Sequence, residues 1–189
     1  MKLKLIPAAL VMLTFVACKN KPTTKDHTSD ELLEMAGKAP GMNAGSGRFT
    51  VKTPTGWTRM DTVISRIQYA YFVAPPEEGN PFQANVNIIT QQLQAGFTLQ
   101  QYVATTEKEM STLIQGFKKQ EEGERTIAGE KARWIKYRFV HHETEMTLNG
   151  EIIILVKDNI AYAITLTTPK DALDKYSKEL EELLHSFQA

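Results

Sequence analysis

The sequence predicts an α+β domain, with a central antiparallel β-sheet flanked by α-helices. Residues 84–93, 134–142, 146–156 and 160–168 are short runs rich in β-branched and aromatic side chains, the composition that suits a pleated, half-buried surface. Residues 99–115 and 169–187 instead repeat apolar side chains at helical spacing. Tight turns such as Ala128-Gly129-Glu130-Lys131 and Lys157-Asp158-Asn159 join strand-like runs, the short connection that antiparallel neighbours need.

The elements follow in order. Residues 48–52 alternate polar and apolar side chains and read as a first strand, after which Thr53-Pro54-Thr55-Gly56 is a turn and Trp57 a core anchor. Residues 62–73 carry Ile64, Ile67, Tyr69, Tyr71 and Phe72 and read as one strand. Pro75-Pro76-Glu77-Glu78-Gly79-Asn80-Pro81 cannot extend it, because proline lacks the N–H a ladder requires, so an exposed loop is expected. Residues 84–93 return as a strand with Val86 and Ile88 on one face and Asn85 and Asn87 on the other.

The first helix is expected over 99–115. Thr98 and Gln101 stand in the capping-box relation, and Leu99, Tyr102, Val103, Thr106, Met110, Leu113 and Ile114 form its stripe before Gly116 ends it. Residues 117–127 are charged and only partly strand-like. Three strands are then expected over 134–142, 146–156 and 160–168. A second helix is expected over 169–187, with Thr168 as N-cap, Pro169 in the first helical position and Leu173, Tyr176, Leu180, Leu183, Leu184 and Phe187 as its stripe.

Ahead of this domain, Lys2 and Lys4 precede an uncharged apolar run from Leu5 to Val16, which is too short to span a bilayer, a task that takes ~20 residues. The run ends in Phe15-Val16-Ala17-Cys18, and Cys18 is the single cysteine of the 189-residue chain. This tail resembles the lipobox of bacterial lipoproteins, although Phe15 stands where leucine is most common. The resemblance implies cleavage before Cys18, diacylglycerol on its thiol and an acyl group on the new amine. The chain is therefore expected to divide into a signal peptide (1–17), a lipidated N-terminus and flexible tether (18–46) and a folded domain (47–189). Residues 19–46 are polar, lack an apolar period and carry Pro40, Gly41 and Gly45 near their end.

Composition excludes several functions. Loss of the signal removes Lys2 and Lys4, leaving 20 basic side chains (22 − 2) against 22 acidic ones. Such a mixed, near-neutral surface is not that of a nucleic-acid binder. With its one thiol lipidated, the chain has no disulfide, cysteine nucleophile or thiolate metal site, and rests on its apolar core.

The order of the motifs is itself informative. Phe49-Thr50-Val51 leads to Pro54-Thr55-Gly56-Trp57; Asn85-Val86-Asn87-Ile88 precedes a helix bearing Leu99 and Tyr102; Gly129, Lys131 and Ala132 follow; Ala161-Tyr162-Ala163-Ile164-Thr165-Leu166 precedes a terminal helix closing at Ser186-Phe187. From Arg48 to Ala189 this order resembles the PsbP-like/Mog1-like superfamily, which includes small bacterial lipoproteins of the DcrB type. The resemblance implies a central antiparallel sheet flanked by helices, and a role in binding and assembly instead of catalysis.

No residue pattern points to a reaction. His141-His142-Glu143 is the densest cluster of catalytic types, but neighbours on a strand face opposite ways, so the two histidines do not share a metal easily. The cluster is read as a polar strand end facing solvent. Gly45-Ser46-Gly47 is not a nucleophile elbow, and no glycine-rich phosphate loop occurs. No catalytic, cofactor-binding or metal-binding residue and no cofactor is therefore assigned. The residues singled out are Cys18 for lipidation and Pro75, Pro76, Glu77, Asn80 and Pro81 as a candidate partner-contact loop, stiffened by its prolines. The expected protein is a non-catalytic binding or assembly factor in the bacterial cell envelope. It would be held to a membrane, on the periplasmic face or the cell surface, by its N-terminal lipid, with another envelope protein as partner and no nucleic acid. The alternative is a metal-dependent enzyme or small-ligand carrier using the sheet face near His141 and Glu143.

Overall fold

The computed structural model describes residues 49–64 and 67–189. The signal peptide, Cys18 and the tether predicted over 18–46 lie outside the described residues. Seven strands form one sheet: β1 (Thr58–Ile64), β2 (Ile67–Val73), β3 (Asn85–Gln92), β4 (Lys118–Ile127), β5 (Glu130–Val140), β6 (Thr147–Lys157) and β7 (Ile160–Pro169). Their spatial order is β1-β2-β3-β7-β6-β5-β4, and each neighbouring pair is antiparallel. Helix α1 (Leu99–Leu113) packs with one face of the sheet, and helix α2 (Ser177–Ser186) with the other. The α+β architecture expected from the sequence is the one observed.

The last strand to be made occupies the middle. β7 lies between β3 and β6, and every residue from Ala161 to Thr168 is buried, which explains why 160–168 reads as a nearly continuous β-forming run. β4 has the opposite character. Its sequence KKQEEGERTI is largely exposed at a sheet edge, and a bulge interrupts its register between Lys119 and Glu121. Charge and a bulge both hinder pairing with a stray strand, so the composition that made this strand hard to read is what suits it to an edge. Two apolar cores flank the sheet. Phe72, Val86, Ile88, Ile153, Ile164, Leu180, Leu183 and Phe187 lie on the α2 side; Val103, Met110, Ile135, Tyr137, Phe139 and Ile152 lie on the α1 side.

Several elements differ from expectation. Residues 49–52 are not a strand; Thr50 makes only an isolated bridge to Gln188, with backbone bonds of 2.8 and 2.9 Å. The single strand expected over 62–73 is two, folded back so that Ile64 faces Ile67. No glycine, proline, asparagine or aspartate marks that reversal. Residues 118–127 form a full strand. Leu113, placed on the stripe of the first helix, is 61% exposed, because α1 ends there.

The second helix starts later than its local signals indicate. Thr168 and Pro169 do not cap it; they end β7, paired with Asn149 and Leu148 of β6. Pairing with a strand far away in sequence outweighs a helix start that would be exposed. Asp171 then adopts a left-handed backbone (φ 61°), a 3-10 turn follows over Asp174–Tyr176, and α2 begins at Ser177. Tyr176, Leu180, Leu183, Leu184 and Phe187 are buried as the stripe predicted.

Candidate functional site: a braced loop and a buried polar row

The loop between β2 and β3 is closed at its neck and tied down on both sides. Pro75 and Pro76 have no N–H to continue β2. Instead the Ala74 N–H donates to the Ala84 carbonyl (2.9 Å) and the Gln83 amide donates to the Ala74 carbonyl (3.1 Å). Inside the loop, the Asn80 N–H donates to the Glu77 carbonyl (3.1 Å), and the Phe82 N–H donates to Asn80 Oδ1 (3.0 Å). That second bond is the local side-chain turn for which asparagine is suited. Phe82 is buried in the α1-side core.

Glu77 fastens the loop to the opposite side of the sheet. Its Oε1 accepts from Lys175 Nζ and from the Tyr176 hydroxyl, and the Tyr176 ring meets Trp57 edge-on at 6.0 Å. Lys175 and Tyr176 together hold the Glu77 carboxyl below its usual range, while burial and the bond to Glu77 push the Tyr176 hydroxyl up. The candidate contact residues therefore divide into two kinds. Pro75, Pro76 and Pro81 are exposed; Glu77 and Asn80 are half-buried and turn inward as braces.

The His141-His142-Glu143 cluster is a turn, not a solvent-facing strand end. His142 and Glu143 are exposed, but His141 is only 5% exposed. Its Nδ1 lies 2.8 Å from Thr144 Oγ1 and accepts the Thr144 N–H at 3.3 Å. The Glu145 N–H donates to the His141 carbonyl and the His141 N–H to the Met146 carbonyl, both at 2.8 Å, with Glu145 left-handed at φ 54°. His141 is buried because its ring builds the β5–β6 reversal. Among the described residues no three His, Cys, Asp or Glu side chains are placed to hold a metal ion.

A second feature escaped the sequence reading. On the α1 face, Tyr71, Asn87, Thr165 and Ile152 lie side by side across β2, β3, β7 and β6; the adjacent row is Val73, Asn85, Thr167, Gly150 and, on β5, Tyr137. A position this central would ordinarily be apolar. Yet Asn85, Thr165 and Thr167 are buried, as is Tyr137. Asn87 Oδ1, Thr165 Oγ1 and the Tyr137 hydroxyl are all shielded from solvent and have no hydrogen-bond partner. Burial pushes the Tyr137 hydroxyl up, so it remains protonated and a donor. Each such group costs about 1–3 kcal/mol when left unpaired. The repeats Asn85-Val86-Asn87 and Thr165-Leu166-Thr167 are the signal that would have found the row, since polar side chains two apart share a face of a strand.

Comparison with known proteins agrees with the fold. The family model described as DcrB matches residues 71–186. LpqN, whose structure is described as that of a protein involved in cell envelope biogenesis of Mycobacterium tuberculosis, superposes with a TM-score of 0.57 at 13% identity, covering 77% of this chain and 85% of LpqN. PsbP from the cyanobacterium Synechocystis superposes with a TM-score of 0.50 at 16% identity, covering 79% of this chain and 98% of its own. A Mog1 variant superposes with a TM-score of 0.52 at 11% identity, covering 78% of this chain and 93% of its own. At these identities the likeness is one of fold. No curated protein is similar to the chain at a significant level.

Proposed function

Because the chain belongs to the DcrB family, we propose that it is a lipid-anchored protein of the bacterial cell envelope whose folded domain binds another envelope component without catalysing a reaction. The observation that carries this reading is the β2–β3 loop. It exposes Pro75, Pro76 and Pro81 while Glu77 ties it to Lys175 and Tyr176, Phe82 packs into the α1-side core and Asn80 braces it from within. A surface ordered before contact loses little entropy on binding, so such a loop suits protein recognition. The lipobox-like segment ending at Cys18 would supply the anchor, and the involvement of LpqN in cell envelope biogenesis is consistent with the same setting. No helix among the described residues is long and apolar enough to cross a membrane.

The test places a photo-crosslinking amino acid at Pro76 and, as control, at the exposed Lys131 at the start of β5, four strands away from β2. In native cells a discrete adduct is expected from position 76 and not from position 131. Identical adducts from both positions would remove the loop from the interface. In parallel, Cys18→Ser is expected to abolish the acyl mass and release the protein from membranes, and a native protein whose Cys18 carries no acyl group would refute the anchor.

A further inference from the structure

We infer that the buried polar atoms of Asn87, Thr165 and Tyr137, brought together from two adjacent rows, form a binding site for a small neutral molecule that offers a hydrogen-bond donor and an acceptor together, a primary amide being the simplest example. The argument begins at Gly150. A Cβ at this position would stand 2.2 Å from Tyr137 Cζ and 2.5 Å from its hydroxyl, so the phenol lies flat across β6. Its hydroxyl is thereby carried from β5 towards β7, where Thr167 is the partner of Gly150 and Thr165 is two residues away on the same face. Asn87 is the partner of Thr165 on the next strand.

Three strands thus bring one donor, one acceptor and one hydroxyl able to serve as either to neighbouring positions. Buried polar atoms without partners are rare in folded proteins, and three together mark a place where a further group completes the bonding. The chemistry also selects against charge. In these two rows and the rows on either side, β2, β3, β7 and β6 place no Asp, Glu, Lys, Arg or His on this face. Towards the β4 edge, Arg133 on β5 and Lys119 beside Tyr137 are already paired, Arg133 with Glu122 and Glu124 and Lys119 with Glu107 and Glu122. From α1, the half-buried Glu109 acts on Tyr102, whose hydroxyl donates to Gln91 Oε1 (3.0 Å), two rows from Asn87 on the same face of β3. An ion in the row would lack a counter-charge and pay for its desolvation, whereas a neutral donor–acceptor molecule would not. The site uses none of the exposed prolines proposed as the protein contact.

The probe is acetamide, with 1,2-ethanediol as a neutral alcohol and acetate as the charged control, followed by NMR on the purified chain labelled with nitrogen-15 and at threonine methyl groups. Acetamide is expected to shift the Thr165 methyl and Asn87 side-chain signals saturably, and acetate is not. Thr165→Val and Tyr137→Phe each keep the packed shape and remove one hydroxyl. Each should weaken acetamide binding about tenfold, the effect of one strong hydrogen bond, without lowering the melting temperature. Two variants guard against one failing to fold. Three results would overturn the site: no saturable shift, an affinity in both variants equal to that of the parent protein, or a crystal structure in which the three atoms bond one another or hold only a water that acetamide does not displace.

Discussion

Tyr137 and Gly150 are cross-strand partners, and the whole ring of one lies over the missing side chain of the other. The same relationship occurs on the opposite face, where Trp134 covers its partner Gly123 and a Cβ there would meet Cζ2 at 2.5 Å. Each aromatic side chain extends flat across the neighbouring strand because glycine leaves room for it. Gly150 lies in the interior of the sheet, where the ring has nowhere to retreat. Gly150→Ala is therefore expected to destabilise the domain by at least about 1–3 kcal/mol, the usual cost of overpacking a core. Urea denaturation measures this, and an unchanged midpoint would show that the ring does not sit over the glycine.

Trp57 links the N-terminal turn to the loop brace. It is buried, and its indole meets the ring of Tyr176, the residue that donates to Glu77. Trp57→Ala should cost about 3–5 kcal/mol through the cavity it leaves. It should also speed amide exchange at Asn80 and Phe82. Thermal melting identical to the parent would contradict the burial.

Acid should release the loop from its brace. In the folded chain Glu77 titrates below its ordinary value of 4.5, chiefly through the bonds from Lys175 and Tyr176. Between the folded and unfolded values the unfolded chain binds more protons, so stability rises with pH across that window. The contribution is complete above the unfolded value and disappears as pH falls through the folded one. NMR titration of the loop amides should give a midpoint below 4.5, and Glu77→Gln should remove the transition. A midpoint at or above 4.5 in the parent protein would count against the brace.

The start of α1 offers a local test. The Gln101 N–H donates to Thr98 Oγ1 at 3.2 Å, and Gln101 Oε1 accepts the Thr98 N–H at 2.9 Å. Thr98→Ala leaves the Gln101 N–H without that acceptor and should cost about 1 kcal/mol. Hydrogen exchange in the first turn of α1 should accelerate while the sheet is unaffected; unchanged protection there would mean the cap is idle.

Some of this was legible in order along the chain. Val86 and Ile88 opposite Asn85 and Asn87 give a two-faced strand by simple alternation, and Thr98 with Gln101 marks a helix start from two residues. Thr168-Pro169 reads just as clearly as a helix start, and that reading fails. Its local preference is real, but Asn149 and Leu148 claim both residues for the sheet. His141 reads as a solvent-facing strand end because nothing nearby reveals that its ring turns back to Thr144. The exposed prolines of the loop were visible in composition, whereas the role of Glu77 depended on Lys175 and Tyr176, nearly a hundred residues away.

By itself, the order of amino acids determined which stretches alternate, where helices begin to repeat and where prolines interrupt a ladder, because each of these depends on neighbours within a few bonds. Only the tertiary structure decided that β7 enters between β3 and β6, and with it that Asn87, Thr165 and Gly150 share one buried face under Tyr137. The physical reason is that a strand specifies its two faces locally, while the side chains beside each face are supplied by whichever distant strands complete its hydrogen bonds.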